Sequence, residues 1–362
     1  MKMKHFDRTL FITVILISLF GIVMIYSASS IWAEYKFHDA FKFVKAQGIF
    51  WIIGILECLF LSKIPSSFWK EKANKIVFLC FLLLALVLIP GIGTVRNGSR
   101  SWFGIGGFGI QPSEFAKIGL IIFVSKYLAQ NKKELRSIKK GVLPILIFIG
   151  VFFLLIMLEP DFGTAMVMAL SLISLIFISG VKLSFFVSLG LIGLGGIVLL
   201  IIIAPYRMAR IVSFLNPWSD PLGSGFQIIQ SLYAIGPGGL LGQGFLKSHQ
   251  KHFYLPEPQT DFIFAIISEE FGFLGVLIIV SFFFFLFYRA VKISLKCNDL
   301  FDKFLVFGLA IGILIQALLN LCVVIGLIPV TGVTLPFFSY GGSSLLVTFA
   351  SIGIILSISR KT

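Results

Sequence analysis

Long apolar runs separated by short polar breaks organise the chain from Leu10 to Ser359. A membrane-spanning helix needs about 20 mostly apolar residues. Ten segments approach that length: Leu10–Ser30, Val44–Leu61, Ile76–Pro90, Phe115–Ala129, Gly141–Leu158, Phe162–Gly180, Leu183–Ala204, Phe262–Tyr288, Phe304–Ile328 and Ser343–Ser359. The third and fourth are short, so their ends are open by several residues. The pattern predicts an all-α integral membrane protein with ten transmembrane helices in a single polytopic domain, residues 1–362. The first run has a basic flank and small residues at Ser27, Ala28 and Ser29, as a signal peptide would. Its length and the nine runs behind it favour a retained helix.

Composition points the same way. Hydrophobic residues make up 58% of the chain and charged residues 13%, whereas a soluble surface needs roughly one-quarter charged residues. The net charge of +14 would suggest nucleic acid in a soluble protein; here its distribution argues otherwise. With the amino terminus inside, the inner segments hold 20 Lys and Arg and the outer segments 9. That bias predicts both termini in the cytoplasm. Net charge is then +15 inside, +2 outside and −3 within the spans. The basic excess is topological: it implies contact with a lipid bilayer and no nucleic-acid partner. Cys58, Cys80, Cys297 and Cys322 lack any C-x-x-C spacing and read as free thiols. His249 and His252 lack an evident third metal ligand.

Two outer segments stand out. Gly91–Ser113 reads as a Gly-rich loop, and Pro205–Thr260 (205–260) is far longer than ordinary connections between helices. Within the latter, Phe226–Ile235 predicts a short interfacial helix followed by the turn run GPGGLLGQG. Loops of this content place function on the outer face.

Ionisable groups at membrane depth are costly and mark candidate sites. Glu57 lies about one turn from the inner end of its span and can reach the interface. Glu114 and Lys117, three apart, share a helix face and can neutralise each other; Lys117 is also placed to meet an anionic substrate group. Gln111-Pro112-Ser113 looks like a helix start with Ser113 at the cap. The strongest stretch is PEPQTDFIFAIISEEFG, 256–272. Thr260 or Asp261 opens the eighth span, and a helix cap alone explains Asp261. It does not explain Glu269 and Glu270, about 12 Å deeper along the axis, which need partners or a wet cavity. Glu159 and Asp161 share a tight turn, and Thr334–Ser344 mixes Gly and hydroxyls before the last span.

These stretches resemble the SEDS family (shape, elongation, division, sporulation). They are NGSRSWFGIGGFGIQPSEFAK at 97–117, LEPDFGT at 158–164, RMARIVSFLNPWSDPLGSGFQIIQSLYAIGPGGLLGQG at 207–244, KHFYLPEPQTDFIFAIISEEFG at 251–272 and GVTLPFFSYGGSSLL at 332–346. They occur in family order, and LEPDFGT and SFLNPW tilt the resemblance to the FtsW branch over the RodA branch, though a sporulation paralogue would look similar. The resemblance implies the SEDS glycosyltransferase fold and a peptidoglycan glycosyltransferase that polymerises lipid II outside the cytoplasmic membrane. It also implies a class B penicillin-binding transpeptidase and division-complex membrane proteins as partners at the septum. It carries the catalytic role to Asp261, as general base in an inverting transfer. Lys117, Arg100, Arg207 and Arg210 are candidate cations for the leaving pyrophosphate, with a divalent cation (Mg2+ or Mn2+) as a further candidate. Glu114, Trp102, Glu257 and Ser339 to Ser343 would shape the cavity. No other cofactor is implied, and no metal ligand is assigned. The sequence departs from the family pattern in three places. Pro256–Gln259 replaces PEAH, Thr331 stands where a Lys is common, and Phe253 where an acid is common. Two roles compete with polymerisation: a lipid II flippase, and a noncatalytic scaffold for the transpeptidase. No broken-helix inverted repeat is visible, and the sharpest motifs cluster on one face, which argues against a carrier.

Overall fold

Hydrophobic runs become helices because, without water, a backbone must satisfy its own N–H and C=O groups. The computed structural model describes residues 6–96, 98–105, 108–203, 214–223 and 225–362. Its helices are α1 (Arg8–Phe37), α2 (Lys42–Leu61), α3 (Ser66–Val87), α4 (Pro112–Gln130), α5 (Leu143–Leu158), α6 (Phe162–Ile178), α7 (Leu183–Ile203), α8 (Phe226–Ile235), α9 (Ile263–Lys296), α10 (Leu300–Val324) and α11 (Gly342–Ser359). Each apolar segment of the sequence is occupied by a helix. Among the described residues six are long and apolar enough to cross a membrane: α1, α2, α5 with its leading π turn at 138–142, α9, α10 and α11. α3 begins ten residues before the expected span, because its first turns carry Lys70, Glu71, Lys72 and Lys75 beyond the apolar run.

α10 lies at the centre, packed against α4, α6, α9 and α11, while α11 also packs on α2. The burial pattern follows: α11 is enclosed on nearly every side, whereas α2 exposes Ile49, Ile52, Ile53, Leu56 and Phe60. In a membrane protein such a stripe faces lipid. At one end of the bundle the two ends of the described chain meet. Asp7 N–H donates to Ser359 Oγ (3.1 Å), and ion pairs join Arg289 to Asp7, Lys361 to Asp302 and Lys70 to Asp299.

The opposite end carries the irregular structure. Gly91–Ser113, expected as a loop, holds a three-stranded antiparallel sheet of β1 (Thr94–Arg96), β2 (Ser99–Ile105) and β3 (Phe108–Ile110). Thr94 pairs with Trp102 and Phe103 with Ile110. The β-formers between the glycines supply the ladder, and the glycines masked that signal.

α9 is broken at Gly272, whose φ of 61° is left-handed. A break in a helix orphans carbonyls before it and N–H groups after it. The segment 238–244 satisfies them: Gln243 and Gly244 donate to the Glu269 and Glu270 carbonyls, and Phe273 and Leu274 donate to the Gly239 and Leu240 carbonyls. Gly242, at φ 80°, makes this approach possible, since a Cβ there would lie 2.1 Å from the Glu270 carbonyl oxygen. The side chains complete the joint. Glu269 accepts from Ser248 Oγ (2.5 Å) and His249 N (2.7 Å), and Glu270 from Ser27 Oγ (2.6 Å) and Lys251 Nζ (3.0 Å). The adjacent carboxylates therefore anchor the long loop to α9 and line no cavity of the candidate site.

Candidate active site

A cavity of about 840 Å3 opens at the end of the bundle that carries the sheet. Its walls come from α2, the sheet, the first turns of α4 and α6, and the segments 257–261, 331–334 and 340–344. Polar backbone away from helices is tolerated at such depth only where it lines a cavity of this kind.

Asp261 lines this cavity. α9 begins one residue beyond Phe262, and no side chain caps it, so capping does not account for Asp261. Its carboxylate makes no hydrogen bond among the described residues and rests against Gly332. Burial, with the negative charges of Glu257 and Asp161 adding to it, pushes the Asp261 carboxyl up to about 6. A carboxylate that is half-buried, unpaired and raised toward neutrality is suited to taking a proton.

Lys117 and Glu114 also line the cavity and form the expected pair, with Nζ 2.9 Å from Glu114 Oε1. A second bond runs from Lys117 Nζ to Gln316 Oε1 at 2.7 Å. An ammonium has three protons, so one is left without a partner among the described residues. α4 begins with Gln111 as its N-cap and Pro112 in its first turn, not with Ser113.

Trp102 and the exposed Glu257 line the cavity as well. Arg100 does not. In the hairpin it stands opposite Val95, with its stem near Gly93, and Arg96 reaches the cavity instead. The Arg96 guanidinium lies 5.0 Å from the centre of the Trp102 ring, a cation–π contact that orients it. Ser339 and Ser343 lie behind the wall. Ser339 Oγ accepts from Leu335 N (2.8 Å) and closes a turn. Ser343 Oγ accepts from Gln111 N (3.1 Å) and donates to the Gly109 carbonyl (3.3 Å), tying the start of α11 to β3 and α4. The other expected cations, Arg207 and Arg210, lie outside the described residues.

Several lining residues were not singled out from the sequence as site residues. Lys42 adds a cation at the start of α2, and Asp161 adds a carboxylate. Asp161 is already engaged, since Oδ2 accepts from Gln111 Nε2 (2.7 Å) and Oδ1 from Thr164 N (3.0 Å), capping α6. Glu159, just behind it, is fully buried, and neither of its carboxylate oxygens has a hydrogen-bond partner of normal geometry among the described residues. Burial and the nearby Asp161 push the Glu159 carboxyl up to about 9, and the Ser113 hydroxyl offsets only part of this. Glu159 is therefore neutral at physiological pH. Lys42 stands at the edge of an apolar run, and Arg96 in the Gly-rich stretch. A count of buried charges overlooks both.

The family model of FtsW, RodA and SpoVE, described as cell cycle protein, matches residues 7–362. The chain is 51% identical to stage V sporulation protein E of Bacillus subtilis over 354 residues, covering 98% of this chain and 97% of that protein. It is 42% identical to the probable peptidoglycan glycosyltransferase FtsW of Trichlorobacter lovleyi over 358 residues, covering 99% and 94%. Among solved structures it resembles a chain of a peptidoglycan synthase complex (32% identity, 98% of each chain, TM-score 0.79). It also resembles the rod shape determining protein RodA of Thermus thermophilus (28% identity, 98% and 97% of the chains, TM-score 0.70). With its apolar helices and RodA-like fold, the chain is a predominantly helical membrane protein that belongs to the FtsW/RodA/SpoVE family of SEDS proteins.

Proposed function

We propose that this protein is a peptidoglycan glycosyltransferase that polymerises lipid II on the outer face of the cytoplasmic membrane. The observation that carries the reading is the Asp261 carboxylate, without a hydrogen bond among the described residues, in a cavity that also holds Lys117, Arg96 and Lys42. Joining two lipid-linked sugars requires both kinds of group. Asp261 takes the proton from the acceptor 4-hydroxyl as that oxygen attacks the donor's anomeric carbon, inverting it. The leaving pyrophosphate gains negative charge, which the three cations stabilise in a site of restricted solvent access. A pKa of about 6 leaves Asp261 mostly ionised at neutral pH, and more basic than an ordinary carboxylate.

A divalent cation fits only as a companion of the substrate. No three metal-ligating side chains gather among the described residues, and Asp161 is occupied by its hydrogen bonds. Mg2+ is commonly held largely by substrate phosphates, which would leave Asp261 free to take the proton. Its chemistry there would be charge neutralisation of the pyrophosphate.

The ten segments are proposed to span the membrane with both ends of the chain in the cytoplasm. The meeting of Asp7 and Ser359 supports an even number of crossings, and the distribution of Lys and Arg supports the orientation. The cavity then faces outward. A class B penicillin-binding transpeptidase is the proposed partner, with division-complex membrane proteins around it at the septum. The likeness to a synthase complex supports a partner, and the 51% identity to a sporulation protein sets sporulation beside division as the context. The test is to incubate purified protein and its transpeptidase with labelled lipid II. Glycan polymer is the expected product. Movement of lipid II across liposomes with no polymer formed would replace this reading with that of a flippase.

A further inference from the structure

Two buried amides on α10, neither lining the main cavity, hold its two principal charges in place. Asn320 Nδ2 donates to the backbone carbonyls of Asp261 and Val333, both at 2.7 Å. Gln316 lies four residues earlier, on the same helix face. Its Oε1 accepts from Lys117 Nζ (2.7 Å). Its Nε2 donates to the Thr334 carbonyl (3.1 Å), Thr334 Oγ1 (3.2 Å) and Ser344 Oγ (3.2 Å). Asn320 and Gln316 are 1% and 6% exposed, so both amides serve the protein interior.

Asp261 needs such support. Its carboxylate has no hydrogen bond of its own among the described residues, and Gly332 stands beside it. The position of the carboxylate is thus set by the backbone at 261 and at 332–333, the two strands of chain that Asn320 joins. Lys117 would otherwise be held only by Glu114, and Gln316 fixes it against 334 and 344. α10 is packed between α4, α6, α9 and α11, which makes it a rigid platform for both amides.

Resting on the reading of Asp261 as the base, we infer that Asn320 and Gln316 are positioning residues, which use α10 as a ruler to set the base against the pyrophosphate cation. A base must come within about 3 Å of the hydroxyl it deprotonates, and an error of about 1 Å can cost on the order of 100-fold in rate. The two residues act through different partners, so their loss should separate in kinetics.

The test measures polymerisation of lipid II by the protein with its transpeptidase, for Asn320→Leu, Gln316→Leu, Gln316→Glu and Asp261→Asn. Asn320→Leu keeps the shape and removes both donors; kcat should fall roughly 10- to 100-fold, with KM within about threefold. The acid limb of its pH profile should also move, because the surroundings of Asp261 change. Gln316→Leu should mainly raise KM, and Gln316→Glu, which still accepts from Lys117 but loses the donors to Thr334 and Ser344 and adds an anion beside the cation, should raise it as well. Should Asn320→Leu not fold, Asn320→Ser, with one donor for two carbonyls, should show a smaller fall in kcat. Parallel changes of kcat and KM in both positions, or a parent KM in Gln316→Leu, overturn the inference. Parent kcat in Asn320→Leu beside an inactive Asp261→Asn overturns it alone, leaving the base in place. An active Asp261→Asn removes the base and this inference together.

Discussion

Asp261 and Glu159 are both carboxyls held above their ordinary range by burial, yet they face opposite demands. Asp261 opens onto the cavity and is ionised above about 6. Polymerisation should therefore fall as pH drops through about 6, with the loss in kcat, and a pH–rate profile of the purified complex checks this. A flat profile between pH 5 and 7 would contradict the role of the base. Glu159 is sealed in and protonated up to about 9. Its folded-state pKa is raised, so the folded state binds a proton that the unfolded state releases. Its contribution to stability is full below about 4.5, declines as pH rises, and levels off above about 9. Melting of the detergent-solubilised protein should show this decline between pH 5 and 9, and Glu159→Gln should flatten it. An unchanged slope in the variant would place the proton elsewhere.

At the scale of elements, the join between the long loop and α9 makes the strongest mechanical demand. Lys251 and Glu270 form an almost fully buried ion pair beside the break at Gly272. Removing one partner strands the other charge, so Lys251→Met should destabilise by about 3 kcal/mol or more. Adding Glu270→Gln should return much of that loss, a coupling that a double-mutant cycle of melting measurements resolves. Gly242→Val should also destabilise, since a Cβ at that left-handed position meets the Glu270 carbonyl. The sequence announced the carboxylates but not their use. Their cost in an apolar helix was legible, while their partners lay 19 or more residues away, on α1 for Ser27 and otherwise in a loop of ordinary polar residues. The bounds of the short helix Phe226–Ile235 were legible, because its apolar pattern runs between Gly225 and Gly236. The sheet was not, because glycines interrupt its alternation.

At the scale of the whole molecule, the apolar runs made the helices readable, and charge asymmetry suggested their orientation. The site was readable in part. Charges in apolar segments led to Asp261, Glu114 and Lys117. Gln316 and Asn320 escaped, because uncharged amides do not stand out in a charge count; their i, i+4 spacing within α10 was the available signal. Arg100 was expected where Arg96 stands, because hairpin register decides which side chain faces the cavity. The proposed topology predicts that cysteines at Gly98 and Tyr254 react with an impermeant maleimide in intact cells. Cysteines at Lys133 and Lys361 should react only after permeabilisation. Labelling of Lys133→Cys from outside would invert the topology.

Whether this cavity builds glycan with Asp261 as its base is decided by the polymerisation of labelled lipid II by purified Asp261→Asn with its transpeptidase. No polymer is expected from this variant while it still binds its partner; glycan synthesis at the parent rate would remove Asp261 from the chemistry.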